Sequence, residues 1–159
     1  MIRGARFSDV PRIVDLLCEM HLASKYAGKV DVSRKAAHAL IQQCVTRHGG
    51  QHEGGAFVMV AEHGGIVEGF MVGMLDRVYH IGDRLAANDV FLHVTDKASK
   101  LDVGRLFKEY MSWAASNPKV HEIRASWTDT MEGASDIGKL YERNGFRQCG
   151  AIYEKGTGE

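Results

Sequence analysis

The chain has only two prolines, Pro11 and Pro118, in 159 residues. With so few breakers, long stretches are free to form helices and strands, and a proline-rich linker or recognition tail is excluded. Cysteine is scarce as well: Cys18, Cys44 and Cys149 are odd in number, widely spaced and without a C-x-x-C pair. This excludes a disulfide framework or a cysteine zinc site and reads as reduced thiols in the cytoplasm, with Cys149 filling a small core site. No apolar run reaches the ~18 residues of a membrane span, and no basic-then-apolar leader opens the chain. Net charge is also lacking, with 20 acidic against 20 basic residues, so no overall field draws nucleic acid or an anionic membrane. The length fits one domain that buries roughly two-thirds of its unfolded surface. It is expected over residues 1–155, with 156–159 as a flexible tail.

What is present alternates between two periods. "MIRGARF" reads as a short strand. "SDVPRIVDLLCEMH" reads as a helix, with Ser8 as its N-cap, Pro11 in the first turn, and Val10, Val14, Leu17 and Met20 on one stripe. "DVSRKAAHALIQQCVTRH" repeats the helical spacing until the glycines of "GGQHEGG" end it. Two apolar runs flanking Gly64-Gly65 predict a β-hairpin with a primed turn. "HIGDRLAAN" reads as a polar connection, and "DVFLHVT" as a strand buried on both faces. "VGRLFKEYMSWAAS" reads as a helix that Pro118 prevents from continuing. "HEIRASW" alternates like a strand, "ASDIGKLYERN" is a short helix closed by Gly145, and "GFRQCGAIYEK" predicts one or two closing strands. The order is β-α-α-β-β-β-α-β-α-β, an α/β (α+β) sheet covered by helices.

Two stretches carry chemistry. "VTDKASKLDVGRLF" places a polar, lysine-bearing loop between a strand end and a helix, the parts of an anion site. "LYERNGF" places Tyr141 five residues before Phe146. His48 and His52 share i, i+4 spacing, but the glycines between them argue against the helix that would aim both at one metal, so no metal is expected.

The element order, with "LHV" ending the central strand and "LYERNGF" near the C-terminus, resembles the GNAT superfamily of N-acetyltransferases over nearly the whole chain. The resemblance implies a central mixed, mostly antiparallel sheet flanked by helices, and a central strand that ends in a β-bulge. It also implies a loop of pattern R/Q-x-x-G-x-G/A whose N–H groups hold the acetyl-CoA pyrophosphate. Counted from Val94, that loop falls on Ser99, Lys100, Leu101, Asp102, Val103 and Gly104, followed by Arg105. Gly104 keeps the last position of the pattern. Ser99 replaces its Arg or Gln, and Asp102 replaces its first glycine. A carboxylate at this place either caps the helix with the donors a pyrophosphate needs or leaves them free.

The resemblance makes acetyl-CoA the co-substrate and a primary amine, on a small molecule or a protein, the acceptor. Attack is direct, in a ternary complex, with strand-end N–H groups of Leu92, His93 and Val94 polarising the thioester carbonyl. Tyr141 is then the general acid toward the thiolate, where otherwise it packs in the helix's buried stripe. Asp89 and His93, on one face of a regular strand opposite Val90, Leu92 and Val94, are candidate bases. His80 and Asp83 in the preceding loop are others. Ala134 stands where many relatives carry asparagine. The family's pairing through sheet edges allows a homodimer. A second reading is a GNAT-fold binding module that has lost the acetyl-CoA site.

Overall fold

A computed structural model describes residues 1–158; of the tail expected over 156–159, Glu159 lies outside the described residues. Strands β1 (Ile2–Gly4), β2 (Ala56–His63), β3 (Ile66–Arg77), β4 (Leu85–Val94) and β5 (Val120–Arg124) form one sheet in that spatial order. The first three junctions are antiparallel and β4–β5 is parallel. Helices α1 (Val10–Leu22) and α2 (Arg34–Thr46) cover one face, and α3 (Asp102–Ala115) and α4 (Ser135–Arg143) the other. This is the expected order from β1 to α4.

The hairpin forms as predicted, because Gly64 and Gly65 both take positive φ (58° and 81°) between paired His63 and Ile66. Along β2 and β3, residues alternate between two cores. Val58, Val60, Phe70 and Val72 meet Ile13, Leu16 and Ile41 on one side. Phe57, Met71 and Leu75 meet Leu106, Phe107 and Tyr110 on the other. Gly145 closes α4 with φ 85°, and the Gly145 and Phe146 N–H groups return to Glu142 and Tyr141.

Several local expectations are corrected. Ser8 caps nothing; it lies in a 3-10 turn, Phe7–Asp9, where Asp9 accepts the Arg6 N–H at 2.7 Å and pairs with Arg3. A carboxylate bound both to backbone and to guanidinium outcompetes a serine hydroxyl there. Strand β4 begins four residues before Asp89, so Leu85 to Asn88 are sheet and not connection. It is only half-buried beyond Ala87, with Val90 exposed, because its neighbour β5 stops at Arg124. Residues 146–158 carry no strand, and Cys149 is exposed instead of filling a core site. Neither side of a two-residue alternation through that segment is apolar throughout, so pairing would place charge or glycine on either face.

Asp9 sits below the ordinary carboxylate range chiefly through its hydrogen bond from Arg3. Such a group binds its proton more weakly folded than unfolded. Its stabilisation is therefore full above the unfolded value near 4 and is lost as pH falls through the folded one. Asp9→Asn should show a shallower loss of melting temperature between about pH 4.5 and 3 than the parent. Parallel curves would remove Asp9 from the acid response.

Candidate active site

The site is built around an irregularity in β4. Val72 pairs with Phe91 but Gly73 pairs with Asp89, which leaves Val90 as the extra residue of a β-bulge. The bulge changes the strand's parity. Asp89 therefore faces α3 and α4, on the same side as Leu92 and Val94, whereas His93 joins Phe91 over Phe70 on the α1–α2 side. The expectation that Asp89 and His93 share a face assumed a regular strand, and the inserted residue overturns it. Gly73, opposite Asp89, is required by a close approach: an added Cβ would stand 2.6 Å from the Tyr110 ring.

The same bulge parts β4 from β5. Their pairing runs only from Leu85 with Val120 to Asn88 with Arg124. Beyond that point side chains bridge the strands. Both Asp89 oxygens accept the Ser126 N–H at 3.1 Å, and Oδ1 also accepts its hydroxyl. Tyr110 donates to the Arg124 carbonyl, and Tyr141 to the Ser126 carbonyl, each at 2.9 Å. "HEIRASW" therefore stops being strand at Arg124, where its partner leaves. In the gap, the Thr95 N–H pairs back to Glu68 on β3, so the ladder's alternation turns the N–H groups of Leu92 and Val94 away from β3, toward the opening.

Tyr141 projects from α4 to the edge of this opening, its ring packed against Phe107 (centroids 5.0 Å apart) and Phe146 (6.0 Å). Its hydroxyl lies 3.4 Å from Asp89 Oδ2. Burial, and then the Asp89 charge, push the phenol above its ordinary pKa, so it holds its proton. Burial likewise raises Asp89 against the hydrogen bonds from Ser126 and Tyr141. His93 is lowered, mainly by burial, and is neutral near pH 7. Tyr141 thus packs in the buried stripe of α4 and brings its hydroxyl to Asp89 and the Ser126 carbonyl.

The loop from Asp96 to Leu101 is closed by side chains just before α3. Ser99 Oγ accepts the Leu101 N–H at 3.3 Å, and Asp102 Oδ2 accepts the Ser99 N–H at 3.2 Å. Asp102 is fully buried (0 % exposed), with His63 Nε2–H donating to Oδ2 at 2.5 Å and Arg105 to Oδ1 at 3.1 Å. Burial disfavours its charge, but the His63 and Arg105 hydrogen bonds outweigh that and hold it below the usual range. Asp102 thus does not cap the first turn of α3. Among the described residues, no protein acceptor takes the N–H groups of Lys100, Val103 or Gly104. The S-x-x-D spacing of "SKLD" was the available sequence signal for the contact between Asp102 and the Ser99 N–H, and it was missed. His63, at the end of β2, had none.

His80 and Asp83 lie elsewhere. They belong to the β3–β4 connection, in which Tyr79 and His80 take positive φ (55° and 62°), at the opposite end of β4. At about 3.3 Å per residue, the connection lies more than roughly 20 Å along the strand from Leu92. His48 accepts the Val58 N–H at Nδ1, and no group of three or more potential metal ligands occurs among the described residues.

Comparison with solved structures bears on the fold. The chain superposes on ribosomal-protein-alanine N-acetyltransferase from Brucella melitensis biovar Abortus 2308 with a TM-score of 0.73 and 17% identity, covering 100% of this chain and 98% of the other. It superposes on glucosamine-6-phosphate N-acetyltransferase from Arabidopsis thaliana with a TM-score of 0.68 and 12% identity, covering 99% and 98%. The chain has the GNAT fold. A transcriptional regulator from Bacillus halodurans C-125 is also similar, with a TM-score of 0.71, 16% identity and 98% of each chain covered. No family sequence model matches, and a search of the curated proteins finds no match.

Proposed function

We propose that this GNAT-fold protein is an N-acetyltransferase that moves an acetyl group from acetyl-CoA to a primary amine on a small molecule or a protein. The observation that carries the reading is the Asp89–Val90 bulge, which opens a gap between β4 and β5 with free N–H groups on one wall and Tyr141 on the other. The site would hold the co-substrate at two places. The Lys100, Val103 and Gly104 N–H groups suit the pyrophosphate, at a helix end that favours negative charge. Nothing in the protein's own packing calls for glycine at 104, where an added Cβ would meet only Leu140 at 4.0 Å. The Leu92 and Val94 N–H groups suit an extended chain lying in the gap, with the thioester carbonyl polarised from β4.

In the reaction the amine nitrogen bonds to the thioester carbon, the C–S bond breaks, and the thiolate takes the Tyr141 proton. Asp89 orients that phenol and the Ser126 backbone. His93, held neutral, is the base that accepts the amine's proton, directly or through water, from the α1–α2 side. Lys25 ties the loop after α1 to the loop after β5, through the Thr130 carbonyl at 3.0 Å and Asp129 at 2.6 Å. These two loops would frame the acceptor.

Acetyl-CoA at about 100 times its dissociation constant should stabilise the fold by about 2.7 kcal/mol. For a chain of this size that raises the melting temperature by roughly 5–10 °C. A folded sample that does not respond to millimolar acetyl-CoA would favour the alternative, a GNAT-fold binding module without the co-substrate. A fold hosts functions without guaranteeing them, so the architecture alone does not decide between them.

A further inference from the structure

We infer that Asp102 shapes the pyrophosphate loop through a clamp with His63 and Arg105, and that His63 is a positioning residue for acetyl-CoA; this rests on the acetyltransferase reading above. Position 102 is where the resemblance calls for glycine, and a free carboxylate there would repel phosphate. The structure turns it inward, and each of its contacts comes from a different place. The Ser99 N–H belongs to the loop, Arg105 to the first turn of α3, and His63 to the end of β2, 39 residues earlier. The side chain therefore ties loop, helix and sheet to one buried point. The clamp is complete within the protein: every buried side-chain polar atom among the described residues has a hydrogen-bond partner, those of Asp102 included.

Two consequences follow for an incoming anion. The Ser99 N–H is spent on closing the loop, which leaves the Lys100, Val103 and Gly104 N–H groups as the free donors. Arg105 is drawn over the start of the helix, where its charge offsets the carboxylate. A fixed side-chain clamp thus keeps the carboxylate at position 102 turned away from an incoming anion. His63 touches neither phosphate donors nor reacting atoms and acts through Asp102.

The test uses the full chain and its variants His63→Ala, His63→Gln, Asp102→Asn, Asp102→Gly and the double variant H63A/D102N. Acetyl-CoA affinity is measured by calorimetry, and turnover at saturating acetyl-CoA in parallel. His63→Ala and Asp102→Asn should each weaken binding about tenfold, a buried hydrogen bond's worth, with turnover at saturation within about threefold. His63→Gln, which can still donate to Asp102, should recover part of the affinity. The double variant should bind no worse than the weaker single one, since both break the same contact. Asp102→Gly should weaken binding. Unchanged affinity in His63→Ala, additive losses in the double variant, or tighter binding in Asp102→Gly would each overturn the clamp. If the buried Asp102 variants do not fold, the partly exposed His63 side chain carries the test alone. A wild-type chain that binds no acetyl-CoA removes the acetyltransferase reading and the clamp's role with it. A wild-type chain that binds acetyl-CoA no better than His63→Ala removes only the clamp.

Discussion

Tyr141→Phe is expected to lower turnover in an acetyl-transfer assay by about 100-fold or more, with acetyl-CoA affinity changed by less than about threefold. The substitution removes one oxygen and keeps the ring against Phe107 and Phe146, so the packing that positions α4 survives. What is lost is the proton donor at the gap, and with it the hydrogen bond to the Ser126 carbonyl. The thiolate would then leave unprotonated or draw a proton from water. A phenol whose pKa is raised by burial donates less readily than a free one, which sets the expected effect toward the lower end of general-acid contributions. Equal turnover in the variant would exclude Tyr141 as the acid and leave it a packing residue.

Phe107→Ala is expected to cost about 3–5 kcal/mol, the usual range for truncating a buried aromatic. For this chain length that is a fall of roughly 6–20 °C in melting temperature. Phe107 is fully buried and touches three other aromatics: Tyr110, which secures the end of β5; Tyr141; and Phe146. The cavity would therefore loosen the α3–α4 side of the sheet more than the α1–α2 side. Turnover should fall even at temperatures where the variant is fully folded. A variant with full turnover and lowered stability would show that the aromatic cluster supports the fold without positioning Tyr141.

Most of the fold could be read from the chain because its signals are local. Gly64-Gly65 makes a hairpin, Gly145 closes a helix, and the apolar stripes of α1 and α2 follow the helical period. The loop between β4 and α3 was legible for a different reason: the distance along the chain from the strand-end valine to Gly104 is itself a structural quantity. What could not be read was long-range. The resemblance implied a bulge at the strand's end, but its place at Val90 shows only against the β3 register, and it moves His93 to the face opposite Asp89. The partner of Asp102 lies on another strand, so the sequence left open whether the carboxylate caps α3 or turns away. The closing strands failed because the 146–158 segment lacks a consistent apolar face, a point that its strand-favouring residues concealed.

The most direct test is amide hydrogen exchange with and without saturating acetyl-CoA. Binding in the β4–β5 gap and at the loop predicts added protection concentrated at Leu92, Val94, Lys100, Val103 and Gly104, the groups without a protein acceptor. Unchanged exchange at those five positions, in a sample whose core amides remain protected, would contradict the proposed site.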